Sequence, residues 1–297
     1  MPRLLLAAGD LEATFLPERG MLCASLRHRG VELLRRVDDL NGAAAKGSTA
    51  GIPLLHPWAN RLDGLRYRAA GRDVSLDPSS PLLHLDERGL PNHGVPWSRL
   101  TWQVRAESDG HVAARLEWLR PELLAVFPYP HRLELVATLE PGVLRFETTL
   151  VAAYGDPVPV SFGFHPYFGL RGPRARWRLR LPAMRRLALD ARQIPTGSEE
   201  AFAGCDGPLA EQSFDDGFAL PAEGASFALA DEELRIGVEL LSGYRFGQVF
   251  APRDQEFVAL EPMTAPANAL ASGRGLTVVQ PGGKFAAAFR IRVDPHS

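Results

Sequence analysis

The stretch HRLELVATLEPGVLRFETTL (residues 131–150) alternates apolar and polar residues over two segments. Leu133 and Leu135 share one face of the first segment, and Leu144 and Phe146 share one face of the second. Because side chains alternate across a β-strand, this spacing predicts two strands that each bury one face. The same alternation recurs in RWRLRL (176–181), LRIGVEL (234–240) and FAAAFRIRV (285–293).

Turn-forming residues occur between these predicted strands along the whole chain. With 28 glycines and 25 prolines among 297 residues, turns are frequent and long helices have little room. Short helices are predicted at Pro121–Ala125 and around Met184–Leu189, and a loop is predicted at 41–51. No linker or repeat divides the chain. We therefore expect one domain over residues 1–297, an all-β fold built as a large antiparallel β-sandwich with few short helices.

Composition excludes several functional classes. A net charge of −2 gives no reason to expect nucleic acid or an anionic membrane as a partner. No apolar run is long enough for a signal peptide or a membrane span, so we expect a soluble cytoplasmic protein. The two cysteines are far apart and are expected to be reduced thiols. Neither metal-ligand spacing nor a nucleotide-binding motif is present, which predicts no metal and no cofactor.

One titratable side chain interrupts the apolar stretch SFGFHPYFGL (residues 161–170). In strand geometry the rings of Phe162 and Phe164 project to one face and His165 projects to the other. Pro166 disfavours the helical region for His165 and holds it extended. A lone histidine in such surroundings is more often a satisfied core residue, and the alternative is an acid or base at the floor of a pocket.

A second stretch, EFVALEPMTAPANAL (residues 256–270), has the same construction. Glu261 ends an apolar run and also precedes a proline. A carboxylate there must be paired or must face a wet cavity, because an unpaired buried charge is costly or shifts its pKa until it is neutral. The other interpretation is a surface glutamate that follows an edge strand ended by proline.

Further polar residues lie in similar apolar surroundings, and each has an ordinary structural explanation. Arg61 can tie down a loop, His93 can be a turn residue before a glycine, and aspartates in turns usually bond their own backbone. The candidates are Asn60 and Arg61, His93, Asp215 or Asp216 in SFDDGF (213–218), and Gln248 in FGQVF (246–250).

Taken in order, these pieces resemble the aldose 1-epimerase (galactose mutarotase-like) family. The matching pieces, which extend from residue 60 to residue 261, are N-R at 60–61, H-G at 93–94, H-P-Y-F at 165–168, D-x-x-F at 215–218, Q-V-F at 248–250 and Glu261. Of these, H-P-Y-F with a downstream glutamate is the most specific. Asp215 fits the D-x-x-F register, and its neighbour Asp216 is the alternative.

The resemblance implies a β-sandwich whose concave face binds a small-molecule monosaccharide without a metal or cofactor. It implies His165 as the general acid and Glu261 as the general base of anomer interconversion. It also implies ligands for the sugar hydroxyls, which are Asn60, Arg61, His93, Asp215 and Gln248. The run Pro-Met-Thr-Ala-Pro after Glu261 departs from the galactose-type branch, so the preferred sugar stays open, as does the oligomeric state.

This chemistry sets three expectations for the site. The acid and the base are expected on opposite sides of the sugar ring, each able to act in both directions. For His165 to donate a proton near neutral pH its pKa should stay near about 6.5, which requires Asp215 or Glu261 close by. Trp58 or Phe246 is a candidate for stacking on a sugar face.

Three other functions remain open at this point. A mutarotase for phosphorylated sugars would use the same chemistry in a cationic pocket. A glycoside hydrolase would use Asp215 and Glu261 as its carboxylate pair, although the H-P-Y-F histidine argues against it. A sugar-binding or sensing protein could use the same scaffold without turnover.

Overall fold

The computed structural model of the protein describes residues 2–35, 37, 39–40, 42, 49–222 and 224–296. These residues form antiparallel sheets together with two short α-helices, α1 (Pro121–Val126) and α2 (Ala269–Ser272). The predicted all-β fold is therefore confirmed, and α1 coincides with the helix predicted at Pro121–Ala125. Within the predicted loop at 41–51, residues 41 and 43–48 lie outside the described residues.

The larger of the two main sheets has nine strands, and the two segments of the opening stretch are neighbouring strands in its interior. In spatial order the strands are β18 (Cys205–Pro208), β15 (Arg178–Leu181), β20 (Ala225–Ala230), β21 (Leu234–Ser242), β25 (Lys284–Pro295), β11 (Val143–Ala152), β10 (His131–Glu140), β9 (His111–Trp118) and β8 (Gln103–Ser108). Strands β10 and β11 pair in continuous register from His131 opposite Ala152 to Glu140 opposite Val143.

The smaller main sheet has eight strands and carries most of the candidate residues. Its path is β17 (Pro195–Phe202), β16 (Met184–Leu189), β19 (Phe214–Ala219), β22 (Phe246–Ala251), β23 (Val258–Met263), β13 (Gly163–Phe164) and β5 (Leu54–Leu55), and β14 (Tyr167–Phe168) also pairs with β23. The helix predicted around Met184–Leu189 is wrong. Strands β17 and β19 pair with the two edges of this segment, and these hydrogen bonds override its weak helical preference.

The remaining strands form three smaller sheets. A four-stranded meander contains β1 (Leu4–Ala8), β2 (Leu11–Leu16), β3 (Leu22–His28) and β4 (Val31–Glu32), and two pairs contain β6 (Arg66–Ala69) with β7 (Arg72–Ser75) and β12 (Val158–Val160) with β24 (Thr277–Val279). Short 3₁₀ helices occupy Pro17–Arg19, Trp97–Arg99 and Arg174–Arg176. Both cysteines are free thiols, as expected.

The hydrophobic core lies between the two main sheets. On the nine-stranded sheet, the rings of Phe146 and Phe289 stack with centroids 4.9 Å apart and planes 6° apart. Both rings contact Phe164 of the eight-stranded sheet, at 5.4 and 5.0 Å. Since Phe164 points into this core, alternation places the next residue, His165, on the opposite face of the smaller sheet. The core thus determines which face can hold the site.

Replacing Phe146 with alanine should lower the free energy of unfolding by about 3–5 kcal/mol, because it removes a fully buried ring from a packed intersheet contact. Denaturant unfolding followed by fluorescence or circular dichroism measures this. The control Val278→Ala, at a position 37% exposed, should change the free energy by less than about 0.5 kcal/mol. A loss at Phe146 as small as that of the control would mean that the two sheets do not pack through this ring.

Candidate active site

A cleft of about 250 Å³ brings together all seven residues that the sequence singled out. Three of them, Asp215, Gln248 and Glu261, lie on adjacent strands of the eight-stranded sheet. The cleft is lined by Arg35, Thr49, Asn60, Arg61, His84, Asn92, His93, His165, Tyr167, Asp215, Gln248, Phe250 and Glu261.

Strand register places the carboxylates and the amide on one wall of the cleft. On β22 and β23, Gln248 stands directly opposite Glu261, so the two side chains share a face. The Gln248 Nε2 atom donates a hydrogen bond of 2.8 Å to Asp215 Oδ1 on β19. The amide is thereby fixed in orientation between two acidic groups.

Alternation along β19 separates the two adjacent aspartates. Asp215 lines the cleft. Asp216 instead approaches Arg186, with 3.4 Å between Oδ1 and the arginine Nε, and Arg186 lies over the ring of Phe202. The structure therefore places Asp215 in the cleft and directs its neighbour to a different set of contacts.

His165 and Glu261 are in direct contact, with Nε2 and Oε1 3.2 Å apart and side chains only 5% and 2% exposed. This arrangement corrects the expectation that the two groups flank a sugar ring from opposite sides. It has a simple chemical advantage. The hydroxyl and the ring oxygen of a hemiacetal are bonded to the same carbon, so two neighbouring groups can reach both oxygens at once.

Burial shifts the pKa values of this pair in opposite directions. It lowers the pKa of His165 well below its ordinary value, and the nearby His93 lowers it further. It raises the pKa of Glu261 well above its ordinary value; Asp215 adds to this and Arg61 opposes it. A carboxyl group does lie close to His165, as expected, but the expected pKa near 6.5 is wrong because desolvation dominates. Both shifts favour a neutral pair with the proton on the carboxyl group.

Asn60 and His93 form two reciprocal hydrogen bonds at the side of the cleft. Both have left-handed backbone angles, with φ of 59° and 61°, which are uncommon for residues other than glycine. The His93 N–H donates to the Asn60 carbonyl at 3.0 Å, and the Asn60 N–H donates to His93 Nδ1 at 3.2 Å. Burial, helped by Arg61 and His84, lowers the pKa of His93 to about 3. The neutral ring therefore carries its proton on Nε2, as a donor.

Arg61 ties down a loop, as one sequence interpretation expected, and it also lines the cleft. Its Nε atom donates to Asp86 Oδ2 at 2.7 Å, and Asp86 Oδ1 accepts the N–H groups of Arg88 and Leu90. This ion pair ties the loop around residue 86 to the cleft wall. It also holds the guanidinium in place along the cleft, where Arg61 is only partly buried.

Six lining residues were not predicted from the sequence. Tyr167 lies two residues after His165, so the same-face rule could have found it. Its ring stacks on the imidazole with centroids 4.2 Å apart. Phe250 lies two residues after Gln248 in the Q-V-F motif, so the same rule could have found it as well. The other four, which no local motif marks, are Arg35, Thr49, His84 and Asn92. Of the two aromatic residues proposed for stacking, Trp58 is fully buried and unavailable, whereas Phe246 is half-buried in an adjoining crevice.

Two structural properties bear on cofactors and membranes. In the described part of the chain, no group of three or more histidine, cysteine, aspartate or glutamate side chains is arranged to hold a metal ion. No helix among the described residues has the length and apolar character needed to cross a bilayer.

A family model for aldose 1-epimerase matches residues 4–292. The chain belongs to the aldose 1-epimerase family. This agrees with the ordered motifs that carry the sequence resemblance. A search of curated protein sequences gives no significant match.

Solved structures show the same architecture for this aldose 1-epimerase family member. A galactose mutarotase-like protein from Clostridium acetobutylicum superposes with a TM-score of 0.84 at 18% identity, covering 98% of this chain and 95% of that one. The Slr1438 protein from Synechocystis sp. PCC 6803 gives 0.79 at 24% identity, with 99% and 96% covered. A galactose 1-epimerase from Lactobacillus acidophilus NCFM gives 0.78 at 14% identity, with 98% and 93% covered. At these identities the likeness establishes the fold.

Gly94 fixes the position of His93 against the body of the protein. Its φ is 65°, and a Cβ atom there would lie 2.4 Å from the His56 carbonyl oxygen. Gly71 has a similar φ of 84° but has nothing within 4 Å of the added atom. Alanine at position 71 would introduce backbone strain alone, whereas alanine at position 94 would introduce both backbone strain and a steric clash.

Gly94→Ala should destabilise the protein by clearly more than Gly71→Ala, which carries backbone strain alone and should cost about 1 kcal/mol. At position 94 the clash with backbone atoms adds to the strain and should bring the loss to at least about 3 kcal/mol. Thermal and denaturant unfolding of the two variants give the comparison. Equal losses would show that the contact between Gly94 and His56 is not close.

Proposed function

We propose that the protein is an aldose 1-epimerase that interconverts the α and β anomers of a monosaccharide by acid/base opening and closure of the ring, without a cofactor. The observation that carries this proposal is the contact between His165 Nε2 and Glu261 Oε1 in a cleft lined by hydrogen-bonding side chains. Membership of the aldose 1-epimerase family supports it independently.

The reaction needs two coordinated proton transfers, one at each of the two oxygens bonded to C1. Glu261, as a carboxylate, takes the proton of the C1 hydroxyl while His165, as an imidazolium, gives its Nε2 proton to the ring oxygen. The C1–O5 bond breaks and the open aldehyde forms. After rotation about C1–C2, the carboxyl group returns a proton to the aldehyde oxygen and the imidazole takes one from the C5 hydroxyl. The protons balance over the cycle and no other reactant is required.

Burial of the pair favours the state that follows ring opening. Opening converts imidazolium and carboxylate into neutral imidazole and neutral carboxyl, which is the form that desolvation stabilises. Free protein with the proton on Glu261 reaches the working form by moving that proton across the 3.2 Å contact to His165. The same low-polarity environment thus assists formation of the open-chain intermediate.

The other polar groups suit a polyhydroxylated ligand. His93 offers an Nε2–H donor, Arg61 offers guanidinium donors, and Asp215 offers acceptors. Each hydroxyl that fails to reach a buried partner of this kind costs about 1–3 kcal/mol, so the set favours sugars with a matching hydroxyl pattern.

A phosphorylated sugar is the second candidate substrate, and Arg35 favours it. The guanidinium lines the cleft and lies 4.6 Å from the Phe257 ring centroid and 5.8 Å from that of Tyr167. Among the described residues no carboxylate pairs with it. A cation in this position can bind an anionic substituent of the sugar.

The test of the function is the optical rotation of freshly dissolved α-D-glucose, α-D-galactose and their 6-phosphates. Wild-type protein should accelerate mutarotation of at least one of them. Glu261→Gln and His165→Ala should each lower the catalysed rate by about 100- to 10,000-fold, because each removes a proton-transfer group.

Circular dichroism of both variants provides the control for folding. Acceleration that survives in the folded variants would refute the assigned roles while keeping the activity. Tight sugar binding by calorimetry without acceleration in the wild type would identify a binding protein instead. Release of reducing sugar from a glycoside would identify a hydrolase.

Asp215→Asn and Asp216→Asn form a matched pair, since the two residues are adjacent and project to opposite faces. The first should raise KM by about tenfold, because it weakens a charge-assisted hydrogen bond to a sugar hydroxyl. The second should leave KM within about twofold, since Asp216 contacts Arg186 outside the cleft. A larger effect at Asp216 would reverse the assignment of the sugar ligand.

A further inference from the structure

Residues on neighbouring strands form a row across the cleft face of the eight-stranded sheet. Glu261 on β23 stands opposite Gln248 on β22, and Gln248 stands opposite Gly217 on β19. Leu187 on β16 comes next, since a Cβ atom placed on Gly217 would lie 3.2 Å from Leu187 Cδ1. His165 continues the row on the other side of Glu261, because β13 and β14 pair with the edge of β23 that faces away from β22.

Gly217 leaves a gap in this row between an amide and an apolar side chain. A Cβ atom at this position would lie 3.1 Å from Gln248 Oε1 and 3.2 Å from Leu187 Cδ1, so the gap is about one side chain wide. The gap borders the adjoining crevice of about 10 Å³, which Asp215 and Gln248 line together with the cleft. A volume of this size holds about one water-sized group.

The walls of the crevice are tied to neighbouring segments. The loop between β16 and β17 contributes one wall. Arg192 Nη1 in this loop donates to the Asp63 carbonyl oxygen at 3.2 Å, and Arg274 Nη1 donates to the Thr196 carbonyl oxygen at the start of β17 at 2.7 Å. Leu187, which faces the gap, is itself only 8% exposed. A bulky group therefore enters the crevice only by displacing packed side chains or breaking these hydrogen bonds.

The proposed acid and base determine which part of a sugar meets this crevice. With the ring oxygen at His165 and the C1 hydroxyl at Glu261, C2 is directed toward Gln248, because the ring oxygen and C2 are bonded to opposite sides of C1. The 2-hydroxyl then reaches Gln248 Oε1, which borders the gap. A larger substituent at C2 must extend into the gap and meet Leu187. The C5 side of the ring is directed toward the other end of the row, away from the crevice.

We propose that Gly217 and Leu187 determine specificity at C2, where they accept a hydrogen or a hydroxyl group and exclude a 2-acetamido group. The substrate class is then simple aldoses and their derivatives with an unsubstituted C2 position, and N-acetylhexosamines are rejected. This inference rests on the proposed function. An acetamido group adds a carbonyl and a methyl group to the space that a hydroxyl occupies, which exceeds the room for one water-sized group.

The first test compares matched sugars that differ only at C2. Mutarotation is followed by optical rotation for glucose with N-acetylglucosamine, for galactose with N-acetylgalactosamine, and for the 6-phosphates of the first pair. In the pair whose parent sugar the wild-type protein accelerates, kcat/KM should be at least about 100-fold lower for the acetamido sugar, because steric exclusion outweighs any new contact. An acetamido sugar that is turned over within about tenfold of its parent would overturn the inference.

Leu187→Ala enlarges the crevice at the end of the row. It should raise the ratio of kcat/KM for the acetamido sugar to that for its parent by at least about tenfold, because it removes the side chain that the methyl group meets. Leu4→Ala is the matched control, since Leu4 on β1 is also 8% exposed and lies outside the cleft and the crevice. It should leave the ratio within about twofold. An unchanged ratio in folded Leu187→Ala, as judged by circular dichroism, would refute the role of Leu187.

Gly217→Ala makes the opposite change and does not remove any buried side chain. Gly217 lacks a left-handed backbone angle, so alanine adds bulk without backbone strain. The added methyl group should lower kcat/KM for glucose by about tenfold and for 2-deoxyglucose by less than about threefold, because the second sugar has no 2-hydroxyl to collide with it. Equal losses for the two sugars would contradict the placement of C2 at Gly217.

Calorimetry separates this inference from the proposed function. Wild-type protein that binds glucose but not N-acetylglucosamine, and accelerates neither, would refute the proposed function and leave the size limit of the crevice standing. Wild-type protein that accelerates and binds both sugars equally well would support the proposed function and overturn the inference.

Discussion

The site depends on the alternation of side chains across three short strands of the smaller sheet, β13, β14 and β23. Phe164 and Leu260 point into the buried core, so His165 and Glu261, one residue further on, must face the cleft. Strand β23 pairs with β22, β13 and β14, which brings groups nearly a hundred residues apart in sequence to 3.2 Å. The packing of Phe164 and Leu260 in the core fixes the backbone positions from which the two groups project.

Desolvation of this pair is an energetic cost in the free protein and an advantage during the proposed reaction. Buried charges are unfavourable unless they are paired, and here the two groups can neutralise each other by moving one proton. The pair has no other side-chain partner for His165 Nδ1 or Glu261 Oε2 within the described residues. The ionised form is therefore poorly solvated, and the neutral form that accompanies an open-chain sugar is comparatively stable. Burial therefore disfavours an imidazolium in the free protein and, in the proposed reaction, favours the neutral pair that accompanies the open-chain intermediate.

Local periodicity predicted the strands and singled out His165 and Glu261, because each follows a core-facing residue and precedes a proline. The resemblance to the aldose 1-epimerase family, and not the periodicity, supplied their proposed roles. Local periodicity failed at Met184–Leu189, where pairing with β17 and β19 decides the structure. The contact between His165 and Glu261 depends on strand order, which no local pattern records. Thr49 and His84 reach the cleft from distant segments, so their types and spacing carried no signal. The alternation rule could have identified Tyr167, because it lies two residues after His165.

The left-handed conformations of Asn60 and His93 hold a neutral imidazole beside His165 and Glu261. Each such residue stores about 1–3 kcal/mol of backbone strain, and two of them face each other here. Their reciprocal hydrogen bonds offset part of this cost and commit His93 Nδ1 to accepting a backbone N–H. Its ring centroid lies 5.4 Å from that of His165, where a second imidazolium would repel the first. The two strained residues therefore hold His93 uncharged, with its proton on Nε2, beside His165.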